Sequence, residues 1–231
     1  MKKYLSLLLV LILCIGLFQP VLALDETEEN NLLANAQPVT PGETVEASIG
    51  EGGDVDFYSF TLPESGRLKL EMTAYFRYNC LYFYDANGSE LWKDTENEWN
   101  STIGSRNEAY ERDLLAGTYY VKVTGFRYGT NNPSTGNYTL KTEFTPAKAT
   151  ESEPNNSISE ANTLTLGKGV EGHIAMNDSY DVYSFTLPES GRISMELTAR
   201  MKYNCLYLYN ESGTVYLSRQ YYLHFPNPVV S

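Results

Sequence analysis

Ten residues, Tyr58-Ser-Phe-Thr-Leu-Pro-Glu-Ser-Gly-Arg67, return unaltered as Tyr183-Ser-Phe-Thr-Leu-Pro-Glu-Ser-Gly-Arg192, 125 positions later. A fixed period of this kind decides the architecture before any single element is read, because each repeat must be one structural unit. The register extends beyond the decapeptide. Glu26, Glu28, Asn30, Asn31, Ala36, Gly42, Val45, Ile49 and Asp56 have identical counterparts at Glu151, Glu153, Asn155, Asn156, Ala161, Gly167, Val170, Ile174 and Asp181. From Tyr58 to Leu91, set against Tyr183 to Tyr216, 20 of 34 positions are identical. The sequence therefore predicts two copies of one fold.

Ahead of the first copy, Met1-Lys2-Lys3, an apolar run from Tyr4 to Phe18 and the small residues Val21 and Ala23 form the three zones of a secretory signal peptide. Cleavage after Ala23 is expected. The run is short for a membrane span and leads at once into the acidic Asp25-Glu-Thr-Glu-Glu29, so no anchor is expected once the signal is removed. The chain is read as secreted and extracellular. Loss of Lys2 and Lys3 takes the formal net charge from -12 to -14. Such a surface repels phosphate backbones, which argues against a nucleic-acid partner, and favours solubility and cation binding. Domain boundaries follow from the period: a signal peptide over 1–23, a first copy over 24–145, a linker over 146–150 and a second copy over 151–231. Cys80 and Cys205 occupy equivalent positions, one per copy. A disulfide within a copy is excluded, leaving buried thiols or a bridge between copies or chains.

Within the first copy, strand signals recur at Thr44 to Ile49, Asp56 to Leu62, Arg67 to Thr73, Asn79 to Asp85, Glu108 to Leu114, Gly117 to Gly125 and Gly136 to Phe144, with one helical turn near Leu32 to Ala36. Alternation places Tyr58, Phe60 and Leu62 on one face, Leu68, Leu70 and Met72 on another, and Leu81 with Phe83 opposite Cys80, Tyr82 and Tyr84. Pro63 and Gly88 supply turn geometry. The fold class is all-β: two tandem sandwiches of jelly-roll type. The second is truncated, since counterparts of Glu108 to Phe144 would fall beyond Ser231.

Glu151-Ser-Glu-Pro-Asn-Asn156, Asp181-Val-Tyr-Ser-Phe185, Cys205-Leu-Tyr-Leu-Tyr209 with Gly213, and in the first copy Ala116-Gly-Thr-Tyr-Tyr-Val-Lys-Val123 with Asn137-Tyr-Thr-Leu140, are similar to a known family. Together they resemble the bacterial pre-peptidase C-terminal domains and, more distantly, the collagen-binding domains of clostridial collagenases. The resemblance implies a noncatalytic β-sandwich appended to secreted peptidases or other exoenzymes, stabilised by calcium in the collagen-binding branch. This chain departs from the family at Tyr78-Asn-Cys80, where members commonly carry acidic residues, and in having no accompanying catalytic domain.

Chemistry beyond binding finds little support in the sequence. The two histidines, His173 and His224, belong to no His-Glu-x-x-His motif, and no Gly-x-Ser-x-Gly elbow or phosphate-cradling glycine loop occurs. The chain is expected not to be an enzyme. In the second copy, Glu151, Glu153, Asn155 and Asn156 precede the sandwich, and Asp178 and Asp181 stand before a strand that returns beside them; hard oxygen donors in this number suit calcium. The first copy offers Glu26, Glu28, Asn30, Asn31 and Asp56, with Asp54 next to Gly53, the counterpart of Asp178. Tyr82, Tyr84 and Tyr120, with Tyr207 and Tyr209 in the second copy, form a candidate ligand-binding face of rigid, amphipathic rings. The reading is a secreted, noncatalytic, calcium-stabilised binding or accessory module for an extracellular protein, a polysaccharide or a partner exoenzyme. The alternative is an amino-terminal fragment of a longer secreted peptidase or other exoenzyme.

Overall fold

The computed structural model describes residues 23–51, 53–95, 105–126 and 134–222, with backbone alone at residues 106 and 218–222. Almost all of the expected signal peptide, Cys14, His224 and the closing segment from residue 223 lie outside the described residues. The chain divides into two compact units, Met1–Ala149 with His173–Ser179, and Thr150–Gly172 with Tyr180–Ser231.

The first unit is a sandwich of two five-stranded sheets. Its strands are β1 (Leu24–Asp25), β2 (Gln37–Pro38), β3 (Thr44–Ile49), β4 (Val55–Leu62), β5 (Gly66–Ala74), β6 (Asn79–Tyr84), β7 (Glu90–Asp94), β8 (Arg106–Leu114), β9 (Gly117–Gly125) and β10 (Gly136–Pro146). One sheet runs β1-β3-β10-β5-β8 and the other β2-β4-β9-β6-β7. A 3-10 turn at Leu33–Asn35 stands where the helical turn is expected. The all-β class holds, and all seven long strands expected from the sequence form. Three elements went unread. Two of them, β1 and β2, have two residues each, too few to show alternation, and they pair in parallel with β3 and β4 rather than antiparallel. The third, β7, carries the mixed sequence Glu-Leu-Trp-Lys-Asp and forms because the preceding turn delivers it beside β6. In that turn Gly88 has φ 77° and donates its N–H to the Asp85 carbonyl at 3.0 Å. A side chain would be strained there.

The core lies between the sheets. Val45, Leu68, Leu70, Met72, Tyr138 and Leu140 enter it from one side, and Tyr58, Phe60, Leu62, Leu81, Phe83, Val121 and Val123 from the other. The Phe83 ring packs with Phe60 at 6.0 Å, Tyr110 at 5.5 Å and Tyr119 at 5.5 Å between centroids. Burial of each such apolar side chain stabilises the fold by about 1.5–3 kcal/mol.

The second unit has strands β11 (Asn162–Thr163), β12 (Tyr183–Ser184), β13 (Tyr203–Tyr209) and β14 (Val215–Tyr222), in two two-stranded sheets, β11-β12 and β13-β14. These are the counterparts, 125 residues on, of the pairs β2-β4 and β6-β7, in the same register: Gln37 faces Tyr58, and Asn162 faces Tyr183. Counterparts of β3 and β5, near 169–174 and 191–199, form no strand. The reason is pairing. In the first unit β3 is bonded to β10 along its full length, and β5 lies between β10 and β8. Among the 231 residues the second copy has nothing in those places. A strand without a neighbour leaves its backbone N–H and C=O groups to water and has no ladder to hold it. Cys80 is buried as a thiol and Cys205 is exposed, so the buried-thiol expectation fails for the second copy, where among the described residues β13 and β14 form a sheet of two strands only.

The repeated decapeptide turns this difference into a measurement. Leu62 is 1% exposed and its counterpart Leu187 is 45% exposed. Leu62→Ala is expected to cost about 2–5 kcal/mol of unfolding free energy through lost burial and the cavity left behind. Leu187→Ala should change it by less than about 0.5 kcal/mol. Denaturant unfolding followed by tryptophan fluorescence checks both, and equal costs would contradict the assigned packing.

Candidate metal centre

Each copy gathers three carboxylates where its acidic opening segment meets the strand that carries the decapeptide, β4 in the first and the two-residue β12 in the second. Oxygen atoms of Glu26, Glu28 and Asp56 lie within 4.8 Å of one another, and so do those of Glu151, Glu153 and Asp181. Backbone bonds place these residues. Phe57 N–H donates to the Asn30 carbonyl at 3.0 Å, and Val182 N–H donates to the Asn155 carbonyl at 2.8 Å, so each acidic segment is clipped beside its strand. Gln37 fixes the approach in the first copy, accepting from Thr27 N–H at 2.7 Å and donating to the Asp25 carbonyl at 3.0 Å.

Asparagine amides orient the carboxylates. Asn30 Nδ2 donates to Glu26 Oε1 at 3.2 Å, and Asn155 Nδ2 donates to Glu151 Oε2 at 3.1 Å. Both asparagines are buried, and in both the Oδ1 atom accepts no hydrogen bond; Asp56 Oδ1 is in the same condition. A buried acceptor left unsatisfied costs about 1–3 kcal/mol, more when the group is charged. Asn30 and Asp56 in the first copy, and Asn155 in the second, thus set buried acceptors beside the carboxylates, an array of hard oxygen donors of the kind divalent cations such as calcium occupy.

Phenols complete each cluster. In the first copy Tyr138 Oη donates to Asp56 Oδ2 at 2.5 Å, lies 2.6 Å from Tyr58 Oη, and Tyr58 in turn donates to Glu26 Oε1 at 3.5 Å. In the second, Tyr183 donates to Glu151 Oε2, and at 3.5 Å to Asp181 Oδ2. The spacing Asp-x-Tyr, at Asp56 with Tyr58 and Asp181 with Tyr183, puts acid and phenol on one face of a strand by its period of two. That signal was present in the sequence and was missed. Tyr138 comes from β10, 82 residues from Asp56, and no local pattern announces it.

Not every expected ligand joins the clusters. Asn31 Oδ1 accepts from Val55 N–H at 2.8 Å, and Asp54 Oδ2 accepts from Gly50 N–H at 2.6 Å. Asp178 is buried and accepts from Ala175 N–H at 3.4 Å within the first compact unit, and it is not among the three clustered carboxylates of the second copy. Asn156 is half-buried next to the second cluster's asparagine. The tyrosines form a separate feature, on the outer face of the sheet β2-β4-β9-β6-β7. Tyr82, Tyr84 and Tyr120 are half-exposed there, opposite buried Leu81, Phe83, Val121 and Val123, and the rings of Tyr82 and Tyr84 stack at 6.3 Å. Tyr207 and Tyr209 stack likewise at 6.1 Å and are 42% and 44% exposed.

Electrostatics follow from burial. Loss of water, then the neighbouring Glu26, push the Asp56 carboxyl up to about 9, against a Tyr138 hydrogen bond that works to lower it. Desolvation, then the charges of Asp54, Glu26 and Glu29, raise Glu28. Tyr58, Tyr138 and Tyr183 are raised too, by desolvation first. The folded chain without a cation therefore holds a proton on Asp56 that the unfolded chain releases near pH 3.8. This contribution to stability is complete below pH 3.8 and is lost as pH rises through about 9. In chelator, the melting temperature of the wild type relative to Asp56→Asn should fall between pH 5 and pH 9; a difference that rises over that range would contradict the burial of this carboxyl.

Among solved structures, the chain is similar to the pre-peptidase C-terminal domain of a collagenase from Bacillus anthracis, with 16% identity and a TM-score of 0.35 over 47% of this chain and 94% of that one. It is also similar to a carbohydrate-binding module of Cellvibrio mixtus lichenase 5A solved with cellotriose, with 14% identity and a TM-score of 0.27 over 40% of this chain and 72% of that one. The family model of the bacterial pre-peptidase C-terminal domain matches residues 54–125, from the start of β4 to the end of β9. That match takes in 72 of the 231 residues, all of them in the first compact unit.

Proposed function

We infer that this chain is a secreted, noncatalytic binding module whose acidic clusters hold calcium and whose outer tyrosine face contacts an extracellular polymer. The observation that carries the calcium half is the pair of buried, unsatisfied asparagine oxygens, Asn30 Oδ1 and Asn155 Oδ1, each beside three carboxylates. A cation there would satisfy both acceptors, neutralise the mutual repulsion of the acids and displace the Asp56 proton. Glu26, Glu28, Asp56 and Asn30 would hold it in the first copy, and Glu151, Glu153, Asp181 and Asn155 in the second.

The contact half rests on the exposed sheet face. Tyr82, Tyr84 and Tyr120 offer rigid aromatic area that is not consumed by the core. The family match over residues 54–125 supports a noncatalytic accessory role. Secretion is supported by the amino-terminal signal pattern, and among the described residues no helix is long and apolar enough to cross a membrane.

Binding to the folded state alone stabilises it by RT ln(1 + [L]/Kd), about 2.7 kcal/mol at a hundredfold excess of cation over Kd. Thermal melting in millimolar calcium is therefore expected to exceed melting in chelator by several degrees, and Asp56→Asn or Asn30→Ala should remove the part that comes from the first copy. A melting temperature indifferent to calcium, with no heat of binding by calorimetry, would sink the calcium reading.

A further inference from the structure

The outer face of the sheet β2-β4-β9-β6-β7 carries cations as well as rings, and the two alternate. Cross-strand register puts Phe57 opposite Lys122, Lys122 opposite Tyr82, and Tyr82 opposite Lys93. A single row perpendicular to the strands thus reads ring, cation, ring, cation. Beside it, Ser59, Tyr120, Tyr84 and Glu90 form the next row. The Lys122 ammonium lies 3.6 Å from the centroid of the Tyr82 ring and 5.5 Å from that of Tyr84. Among the described residues no carboxylate lies within ion-pair distance of it. Lys93 does have a partner, Glu90 at 3.2 Å, but its side chain is 54% exposed, where such a pair is worth little.

In a chain with a net charge of -12, an aromatic strip that presents two ammonium groups is a local inversion of sign. Neighbouring strands stand about 4.8 Å apart, so two cations separated by one intervening strand repeat at about 10 Å along the row. A polysaccharide in which neutral and acidic sugars alternate presents its carboxylates at a comparable interval, with an apolar sugar face between them to lie on a ring. We propose that this face of the first copy binds an acidic polysaccharide of alternating uronic acid and neutral sugar, with Tyr82 and Phe57 stacking on sugar rings and Lys122 and Lys93 pairing with carboxylates. The inference rests on the contact half of the proposed function and gives it a ligand class.

The second copy supplies an internal comparison. Tyr207 and Tyr209 repeat Tyr82 and Tyr84, but Ser218 faces Tyr207 where Lys93 faces Tyr82, and the 231 residues hold no counterpart of Lys122. Acid selectivity therefore belongs to the first copy.

The test is calorimetric and gel-retardation binding of the full chain, at fixed calcium, to hyaluronan and to its methyl ester, which keeps the sugars and removes the charge. Wild type should bind hyaluronan at least tenfold more tightly than the ester. Lys122→Gln and Lys93→Gln should each erase most of that preference, Glu90→Gln should strengthen hyaluronan binding, and Tyr82→Ala should weaken both polymers, with melting temperatures showing that the variants fold. Equal affinity for the acid and the ester, or indifference to both lysine changes, would overturn the acid selectivity while leaving a polymer-binding module. Capture by collagen fibres with binding to neither polysaccharide would overturn the polysaccharide assignment and keep the module reading. Binding to none of the three would overturn both.

Discussion

Each sheet of the first copy is joined into one by the backbone pairing of a single strand to neighbours on both sides, β10 in one sheet and β9 in the other. In one sheet β10 lies between β3 and β5, and in the other β9 lies between β4 and β6. Both are contributed late, by residues 117–146; without them the sheets would fall apart into the separate pairs β1-β3, β5-β8, β2-β4 and β6-β7. The same two strands bring Val121, Val123, Tyr138 and Leu140 into the core. The second copy shows what a related sequence, with the same decapeptide, does where the 231 residues supply no such strands. Its decapeptide, which in the first copy forms the last five residues of β4 and the first two of β5, keeps only Tyr183–Ser184 as strand, paired with β11. Local sequence supplies alternation and turns, and pairing turns them into a sheet.

The candidate metal centre depends on the same constraint. Tyr138 reaches Asp56 from β10 and, with Tyr58, roofs the carboxylates of the first copy against water. Burial there pushes Asp56 far above the ordinary carboxylate range. Among the described residues the second cluster has Tyr183 as its phenol. Two clusters built from the same acidic motif thus stand in different dielectric surroundings. The more buried has the greater need of a neutralising cation, because separation from water raises the energy of unpaired charge.

Much of this was legible in the sequence, for reasons that can be named. Alternation in Tyr58, Phe60, Leu62 and in Leu81, Phe83 marked inward faces, and all five are buried. The period pointed to Glu26, Glu28 and Asp56 with their counterparts, which do converge. Asn31 and Asp54 carried the same chemistry but were taken by the backbone amides of Val55 and Gly50, an outcome that depends on exact chain path rather than residue type. Asp178 was misplaced for a related reason: residues 173–179 lie with the first unit, where Met176 N–H donates to the Asp113 carbonyl at 2.8 Å. Tyr138 could not be read at all, since its role exists only once β10 pairs with β3 and β5. Lys122 was overlooked because it is one lysine inside an apolar strand, and its neighbours across the sheet give it meaning.

Amide hydrogen exchange of the two decapeptides in the full chain tests the pairing account most directly. Tyr58 to Arg67 and Tyr183 to Arg192 are identical, so their intrinsic exchange rates are closely matched and any difference reports structure. The account predicts strong protection for the strand amides of the first and near-unprotected exchange for most of the second, apart from the short pairing at Tyr183 and Ser184. Equal protection in both would mean that the decapeptide forms its strands without β9 and β10, and would contradict it.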